Sequence, residues 1–321
     1  MNTHENIIHL AQLNSRSCHP KRKEDIHKHL PYFEIYKDQL NHLNVRCSHC
    51  AQMDRMHLWE TYLKNHILPN IGDPYDITGF YNIELHDSYT YLKNGHDYQN
   101  VFTFSKFKDD SGPVLIPDPD MITNWKNMLQ NIQDDVHFDN KLNKIIFAGA
   151  TTGHHDPSKN ERIKACLWSL EYQDICEFKL TKVSQMSMDS IISTYGANQW
   201  KDIYLPRHMT IQEQLRYKYH LHIDGNTCRF DVWPMKTNSL LLKMRSHEML
   251  WYYPMIKANS EFVEVSSLDH LSDIQEYYTA NPRMARLIIK NANNLAKELF
   301  TPFSHILYTI NLFETMALNR P

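Results

Sequence analysis

The chain has 321 residues, enough for two domains of ordinary size, and its 42% hydrophobic and 12% aromatic residues can fill a core in each. Its net charge of −3, from 34 basic and 37 acidic residues, gives no positive field for a phosphate backbone, so nucleic acid is not an expected partner. No stretch approaches the roughly 18 uninterrupted apolar residues of a transmembrane segment and the N-terminus lacks a secretory pattern, which predicts a soluble, cytoplasmic protein.

The first 70 residues predict polar helices. Apolar residues such as Leu40, Leu43 and Met53 follow mixed three- and four-residue spacings. Residues 69–74 and 109–113 are rich in turn formers and predict loops. This half carries little further information about the fold.

Strands and helices alternate in the second half of the sequence. Strands are predicted at 145–147, 175–183, 219–223 and 239–244, and helices at 161–170 and 210–217. Such alternation is typical of a parallel sheet covered on both faces, whose ligands lie beyond the carboxyl ends of the strands.

The C-terminal part predicts helices almost throughout. After Asp269, Pro282 is well placed to start a long helix through Phe300, and Pro302 is placed to break it. The sequence pattern changes near residue 140, where the alternation of strands and helices begins, and this predicts three segments. They are a first domain at 1–138, a second domain at 139–300 and a C-terminal helix at 301–321 that packs back on the first domain.

Glycine is scarce, with 8 in the whole chain, so each one is expected where sterics require it. Gly149, Gly153 and Gly225 directly follow predicted strands. A strand-end glycine lets backbone N–H groups approach a phosphate or a sugar. The alternative is that these glycines only form turns.

Four segments in order resemble glycosyltransferase family 90, the capsule-associated and protein O-glucosyltransferase family. They are FAGATTG at 147–153 with Arg162 beyond it, YKYHLHIDGN at 217–226 followed by Arg229 and Phe230, TNSLLLK at 237–243, and WYYP at 251–254. The resemblance covers roughly residues 100 to 300. One such motif is weak, whereas four in the right order point to the family.

The resemblance implies an α/β fold of the glycosyltransferase-B type, with two Rossmann-like domains facing a cleft and a helical C-terminal segment. It makes 1–138 the acceptor-side domain and 139–300 the nucleotide-sugar-binding domain. It also implies inverting transfer of a hexose or pentose, glucose or xylose above all, from a UDP-sugar to a hydroxyl group. The acceptor would be a glycan, a lipopolysaccharide or a protein. No metal and no cofactor is expected, and the UDP-sugar is a co-substrate.

The resemblance places the donor site on eleven residues: Gly149, Thr151, Thr152, Gly153, Arg162, Asp224, Gly225, Arg229, Phe230, Ser239 and Lys243. Without a metal, fixed cations must offset the charge of the leaving diphosphate, and arginine binds two phosphate oxygens at once. Arg229 is the preferred clamp. Arg162 is either a second clamp or part of a solvated helix face.

Three of these residues have competing interpretations. Asp224 could hold donor hydroxyls or brace the Arg229 loop, or it could close a turn on Asn226. Ser239 could donate to the diphosphate and is preferred over Lys243, which is either a donor contact or an exposed strand end. The aromatic residues at 251–253 are interpreted as core or lid packing.

The base that deprotonates the acceptor hydroxyl is expected in the first domain. Family members carry an aspartate before an apolar run that ends in Pro-Asp, and here Pro113 stands at that position while Pro117-Asp118 retains the end. Asp118 is the preferred base, and Asp110 and Asp120 are the alternatives. Each of them could equally be a solvated turn aspartate.

Other chemistry is discounted. Cys47 and Cys50 have the spacing of one of the two ligand pairs of a structural zinc site, but the chain has no second Cys-x-x-Cys. The six cysteines are therefore interpreted as reduced thiols and this pair as lying on a helix. The loop at 154–156 (HHD) matches no ligand spacing. Two rival functions remain, a catalytically inactive sugar-nucleotide-binding relative and an unrelated α/β nucleotide-binding enzyme such as a phosphotransferase.

Overall fold

The structure is a computed structural model that describes residues 2–15, 18, 20–26, 30–85, 101–118, 121, 132–227 and 232–319. Arg229 and Phe230, predicted to bind the donor, and Asp120, an alternative base, lie outside the described residues. The chain forms two compact units. Unit 1 comprises Met1–Asn127, His247–Met255 and Glu298–Pro321, and unit 2 comprises Met128–Ser246 and Ile256–Lys297.

Helices and sheets are both extensive, so the α/β class is confirmed. The described strands are β1 (Tyr32–Lys37), β2 (Leu43–Cys47), β3 (Gly79–Ile83), β4 (Val101–Thr103), β5 (Lys106–Phe107), β6 (Val114–Leu115), β7 (Leu142–Ala150), β8 (Cys176–Lys182), β9 (Tyr217–His222), β10 (Leu240–Met244), β11 (Glu248–Met249) and β12 (Val263–Val265). The described α-helices are α1 (Thr3–Ser15), α2 (Met53–Tyr62), α3 (Glu161–Trp168), α4 (Met188–Tyr195), α5 (Ala197–Ile203), α6 (Ile211–Gln214), α7 (Leu271–Ala280), α8 (Pro282–Leu299) and α9 (Pro302–Leu318).

Unit 1 contains a mixed sheet with strand order β2-β1-β3-β4-β6. β1 is antiparallel to both β2 and β3, whereas β3, β4 and β6 run parallel. The prediction that residues 1–70 are all helical is therefore wrong for the β1–β2 hairpin. Phe33 and Ile35 are buried and alternate with more exposed neighbours, a period-two pattern too short to stand out beside the helical spacings.

The core of unit 1 is aromatic. Phe33 stacks on Tyr81 and on Phe102 at centroid distances of 5.0 and 5.8 Å, and Phe313 of α9 meets Phe33 edge-on at 6.3 Å. Trp251 is also buried, with its ring 4.6 Å from that of Tyr308. Core packing is thus confirmed for this predicted aromatic segment. Such ring pairs stabilise a core beyond the area that they bury.

The C-terminal helix α9 packs against α1 within unit 1. The Asn14 side-chain amide donates to the Tyr308 hydroxyl at 2.9 Å, and Asn319 donates to the Ser15 carbonyl at 2.7 Å. Pro302 stands in the first turn of α9 and Thr301 caps that helix. The helix break predicted at Pro302 is confirmed, because proline has no N–H to donate to the preceding turn and fits the first turn of a new helix.

Unit 2 contains a sheet whose five strands are all parallel, in the order β12-β10-β9-β7-β8. In chain order of the sheet's own strands this is 5-4-3-1-2, the doubly wound pattern of an α/β nucleotide-binding fold. The predicted strands at 175–183, 219–223 and 239–244 are confirmed within two residues. The predicted helix at 210–217 is shorter, because the chain enters β9 at Tyr217.

Among the residues that the structure describes, no helix combines the length and the apolar character needed to cross a membrane.

His305 of α9 makes the stability of unit 1 dependent on pH. The side chain is 1% exposed, its Nδ1 has no hydrogen-bond partner among the described residues, and burial lowers its pKa from 6.5 to about 4. The unfolded chain therefore binds a proton between these pH values that the folded chain does not. Stability is fully present above pH 6.5 and is lost as the pH falls toward 4, by about 3 kcal/mol.

We expect His305→Leu to remove this pH dependence. The free energy of unfolding should be measured by urea denaturation from pH 4 to pH 8. Between pH 8 and pH 4 it should fall by about 3 kcal/mol more in the wild type than in the variant. His9→Leu, at an exposed histidine of α1, is the matched control. If the free energy of unfolding depended on pH equally in the wild type and in His305→Leu, the prediction would be contradicted.

Candidate functional site

The carboxyl ends of β7 and β9 lie side by side, because the two strands are parallel neighbours. Gly149 and Thr151–Gly153 come from the end of β7 and the loop after it, and Asp224 and Gly225 come from the loop after β9. The structure thus brings six of the predicted donor residues to one edge of the sheet, as expected for strand-end loops of a parallel sheet.

Arg162, in the first turn of α3, joins these two loops. Its Nε donates to the carbonyl oxygens of Ile223 and Asp224 at 3.2 and 3.1 Å, and its Nη2 donates to Ile223 at 2.9 Å. Its Nη1 donates to the Ala150 carbonyl at 3.2 Å and to the Thr152 hydroxyl at 2.7 Å. The interpretation of Arg162 as part of a solvated helix face is wrong, because the guanidinium is directed at the carbonyls of the sheet edge.

Gly225 lies against this guanidinium without room for a side chain. A Cβ at this position would lie 2.6 Å from the Thr152 hydroxyl oxygen, 2.7 Å from Arg162 Nη2 and 2.9 Å from Arg162 Cζ. All three distances are shorter than van der Waals contact. Glycine is therefore required here by the close approach of the β9 loop to Arg162.

The contact between Arg162 and the loops after β7 and β9 is called the Arg162 junction below. Gly149 and Gly153 lie at this junction. A Cβ at Gly149 would lie 3.0 Å from the ring of Phe147 and 3.4 Å from Arg162 Nη1. Gly153 adopts a φ of +116°, which side-chain-bearing residues rarely adopt, and approaches the backbone of Gly225. The sequence prediction that sterics dictate these positions is confirmed. The ring of Phe147 is the nearest neighbour at Gly149, whereas the backbone conformation is the constraint at Gly153.

The N–H of Gly153 is held by two side-chain amides that the sequence analysis did not assign to the donor site. It donates to Gln185 Oε1 and to Asn226 Oδ1, both at 3.1 Å. Gln185 has a φ of +66° and follows β8, so three strand-end loops meet at this N–H group. The amide oxygens stand where a ligand oxygen would accept from the same donor.

Asn160 was also missed, although an asparagine directly before a predicted helix is a recognisable cap signal. Its Oδ1 accepts from the N–H groups of Arg162 and Ile163 at 3.1 Å, and its Nδ2 donates to the carbonyls of Thr151 and His154 at 3.0 and 2.9 Å. The residue is fully buried. It therefore fixes the β7 loop to the start of α3 and sets the position of Arg162.

Thr151 faces the protein interior. Its hydroxyl donates to the Ser184 carbonyl and accepts from the Ser184 N–H, both at 2.8 Å, and the residue is fully buried. Thr151 thus pins the loop after β7 to the segment after β8. Its role in the structure is to position the loop that carries Thr152 and Gly153.

Asp224 pairs with Lys243. One carboxylate oxygen of Asp224 accepts from Lys243 Nζ, and the same oxygen lies 3.9 Å from His222 Nε2. The Lys243 side chain is 3% exposed, whereas that of Asp224 is 32% exposed. Lys243 is therefore not an exposed strand end. The predicted turn of Asp224 on Asn226 is replaced by this ion pair.

Ser239 does not belong to this group of residues. It precedes β10, its side chain is buried, and its hydroxyl donates at 2.7 Å to the carbonyl of Tyr217, the first residue of β9. Because all strands of the sheet are parallel, this is the amino edge, opposite to the loops that carry Gly225 and Asp224. The preference for Ser239 over Lys243 is corrected, since Lys243 contacts the site and Ser239 lies at the other edge.

The two described candidate bases lie in unit 1. The Asp110 carboxylate accepts from the Gly112 N–H at 3.0 Å and so closes the turn that was its alternative interpretation. Asp118 follows the buried Pro117, and its carbonyl oxygen accepts from the Met121 N–H at 3.0 Å. Its side chain is half-buried.

The structure describes no group of three or more histidine, cysteine or acidic residues that could hold a metal ion. Cys47 ends a strand instead of lying on a helix, and burial raises the pKa of its thiol to about 12. His154 and His155 stack on each other in the loop before Pro157, with ring centroids 4.8 Å apart.

The network around Arg162 leads to a direct prediction. Lysine keeps the charge of Arg162 but has no planar fork, so Arg162→Lys leaves several carbonyls without their donor. We expect the free energy of unfolding of unit 2 to fall by about 3 kcal/mol, measured by urea denaturation. Arg283→Lys on the exposed face of α8 is the matched control. Equal stability of both variants would show that the network contributes little.

No protein-family model matches the chain, and no curated protein matches it. The resemblance to family 90 therefore stays a prediction from the motifs.

Several solved structures are similar to parts of this chain. One is a glycosyltransferase from Rickettsia africae, with 10% identity, a TM-score of 0.42 and coverage of 73% of this chain and 69% of that chain. Another is the C-terminal domain of a glycosyl transferase group 1 family protein from Francisella tularensis, with 10% identity and a TM-score of 0.35. The match covers 49% of this chain and 86% of that chain.

A third is a sucrose-phosphate synthase from Thermosynechococcus elongatus, with 13% identity and a TM-score of 0.35. The match covers 59% of this chain and 47% of that chain. The assignment of unit 2 to the doubly wound class rests on its own strand order.

Proposed function

We propose that this chain is a glycosyltransferase that moves a sugar, glucose or xylose in the first instance, from a UDP-sugar to a hydroxyl of a glycan, lipopolysaccharide or protein acceptor. The donor would bind to unit 2, at the carboxyl edge of its parallel sheet. The proposal combines the motif resemblance with one structural observation, which is where the Arg162 junction lies in the strand order.

The strand order reverses at β7. The chain passes from β7 to β8 on one side and then crosses to β9 on the other, so the point between β7 and β9 is the topological switch point of the sheet. In open α/β sheets, ligands bind in the crevice outside the carboxyl ends of the strands at such a point. Gly153 and Gly225 occupy the two loops that border it. This location is the observation that supports nucleotide binding.

The chemistry of the edge suits a sugar nucleotide. A phosphate oxygen could replace the two amide oxygens that now accept from the Gly153 N–H. The partly exposed carboxylate of Asp224, held by Lys243, could accept from sugar or ribose hydroxyls. In this proposal Arg162 and Asn160 position the loops, and Arg229 supplies the charge that offsets the leaving diphosphate.

The first experiment is a thermal-shift and calorimetric screen of UDP-glucose, UDP-xylose and UDP against matched adenosine and guanosine sugar nucleotides. A ligand at a hundred times its dissociation constant stabilises the folded protein by about 2.7 kcal/mol. We expect a UDP-sugar to raise the melting temperature most. If none of the UDP compounds bound, the proposal would be wrong.

A catalytically inactive relative is the second candidate, and Pro113 at the position of the family's usual base favours it. Such a protein would bind the UDP-sugar but release no UDP with any hydroxyl acceptor. Release of UDP that depends on an added acceptor supports the transferase, whereas tight binding with no release supports the inactive relative.

We expect transfer to be independent of divalent metal, as the resemblance implies. UDP release should be measured after EDTA treatment and again with added manganese. Unchanged turnover is the expected result. A loss of activity with EDTA that manganese restores would contradict it and would require carboxylate ligands beside the diphosphate.

A further inference from the structure

A cavity of about 310 Å³ lies within unit 2 at the amino edge of the sheet, the edge opposite to the Arg162 junction. Its walls are residues of α8 and the segments that precede β7 and β10. Asn238 stands two residues before β10, which fixes the cavity at the edge where the parallel strands begin. The cavity therefore lies outside the proposed donor site.

Three cationic side chains line this cavity: Arg286, Lys290 and Lys297, all on α8. Burial lowers the pKa of Lys236, and the nearby positive charge of Lys297 lowers it further. Lys290 and Lys297 are exposed side chains that line the same concave space, so an anion bound there would be attracted to both. Asn293 also lines the cavity.

Of the three cations that line the cavity, Arg286 has an acidic partner. The Asp139 carboxylate accepts from Arg286 Nη1 at 2.6 and 2.7 Å, so it offsets Arg286 alone. Asp134, behind Asn238, accepts from the buried Nζ of Lys141 at 2.8 Å. Among the described residues, no ion pair is formed by Lys290 or Lys297.

Asn238 and Asn293 are held in place by the backbone. The Asn238 side-chain amide donates to the Asp134 carbonyl at 2.8 Å, and Asn293 Nδ2 donates to the Thr237 and Ile289 carbonyls at 2.8 and 2.9 Å. These bonds fix the cavity wall before any ligand arrives. A pre-formed polar wall with adjacent unpaired cations is the arrangement expected of a binding site.

We propose that this cavity binds a phosphate group. Its volume is near the lower end of small-molecule sites, so it admits a phosphomonoester or the phosphorylated end of a larger molecule. Lys290 and Lys297 supply both the charge and the N–H donors for the phosphate oxygens. The site is separate from the donor site and does not depend on the proposed transfer reaction. Free phosphate compounds and phosphate lipid headgroups share this chemistry.

The test compares the wild type, Lys290→Gln/Lys297→Gln, and the control Lys201→Gln/Lys257→Gln, which changes the charge equally at exposed lysines elsewhere in unit 2. Inorganic phosphate is titrated at constant ionic strength with thermal-shift detection. Vesicles of phosphatidylcholine with and without phosphatidic acid are used in cosedimentation. Far-UV circular dichroism checks that each variant is folded, and UDP binding is measured in parallel.

We expect the dissociation constant for phosphate to rise about tenfold or more in Lys290→Gln/Lys297→Gln and to stay unchanged in the control. Binding of phosphatidic acid vesicles alone, lost in the same variant, would support the site and identify a lipid headgroup. The proposal is wrong if the wild type binds neither probe, or if the double variant binds as the wild type does. UDP binding should be equal in all three proteins, so failure of the donor proposal is recognised separately.

Discussion

Replacing Gly225 by alanine is expected to weaken UDP-sugar binding on the order of 100-fold. The new Cβ would lie 2.6 Å from the Thr152 hydroxyl and 2.7 Å from Arg162 Nη2, so both groups must move. Arg162 cannot move without giving up its bonds to the β7 and β9 loops. Loss of two charge-assisted hydrogen bonds at about 1.5 kcal/mol each accounts for the expected change. Isothermal titration calorimetry is the measurement.

A graded series of glycine variants controls this prediction. Gly149→Ala meets the Phe147 ring at 3.0 Å and should have an intermediate effect. Gly72→Ala in unit 1 meets the Tyr75 ring at 3.3 Å and Glu314 Oε1 at 3.6 Å, and it should bind normally. Each variant is first checked by circular dichroism. Normal UDP-sugar affinity in a folded Gly225→Ala protein would show that the junction does not shape the donor site.

Asp118→Asn is expected to lower kcat by about 10²- to 10⁴-fold while leaving UDP-sugar affinity unchanged. The amide cannot take the proton of the acceptor hydroxyl, whereas the predicted donor residues lie in the other unit. Product formation across pH gives kcat, and calorimetry gives the affinity. Binding and chemistry should therefore separate in this variant.

Asp110→Asn is the matched comparison. The Asp110 carboxylate closes a turn on the Gly112 N–H, and asparagine can accept the same hydrogen bond, so the loop should keep its conformation. We expect near-normal turnover. If Asp110→Asn loses activity while Asp118→Asn retains it, Asp110 is the base. If both retain it, the resemblance to family 90 does not extend to this mechanism.

Local signals accounted for most of unit 2. The strands before Gly149 and Gly225 were predictable from apolar runs that end in glycine, and the starts of α8 and α9 were predictable from Pro282 and Pro302. These features act through the residues next to them in sequence. The β1–β2 hairpin was not predicted, since its short alternation becomes decisive only when the sheet and α9 cover it.

The sequence by itself determined where strands end, where helices begin and which strand ends lack side chains, because backbone sterics and capping depend on near neighbours. Only the tertiary structure decided which of these positions meet. Parallel register brought Arg162 to Gly225 and Lys243 to Asp224, and it left Ser239 at the opposite edge of the same sheet. Such contacts join residues distant in sequence, and they follow from strand order, which no local pattern specifies.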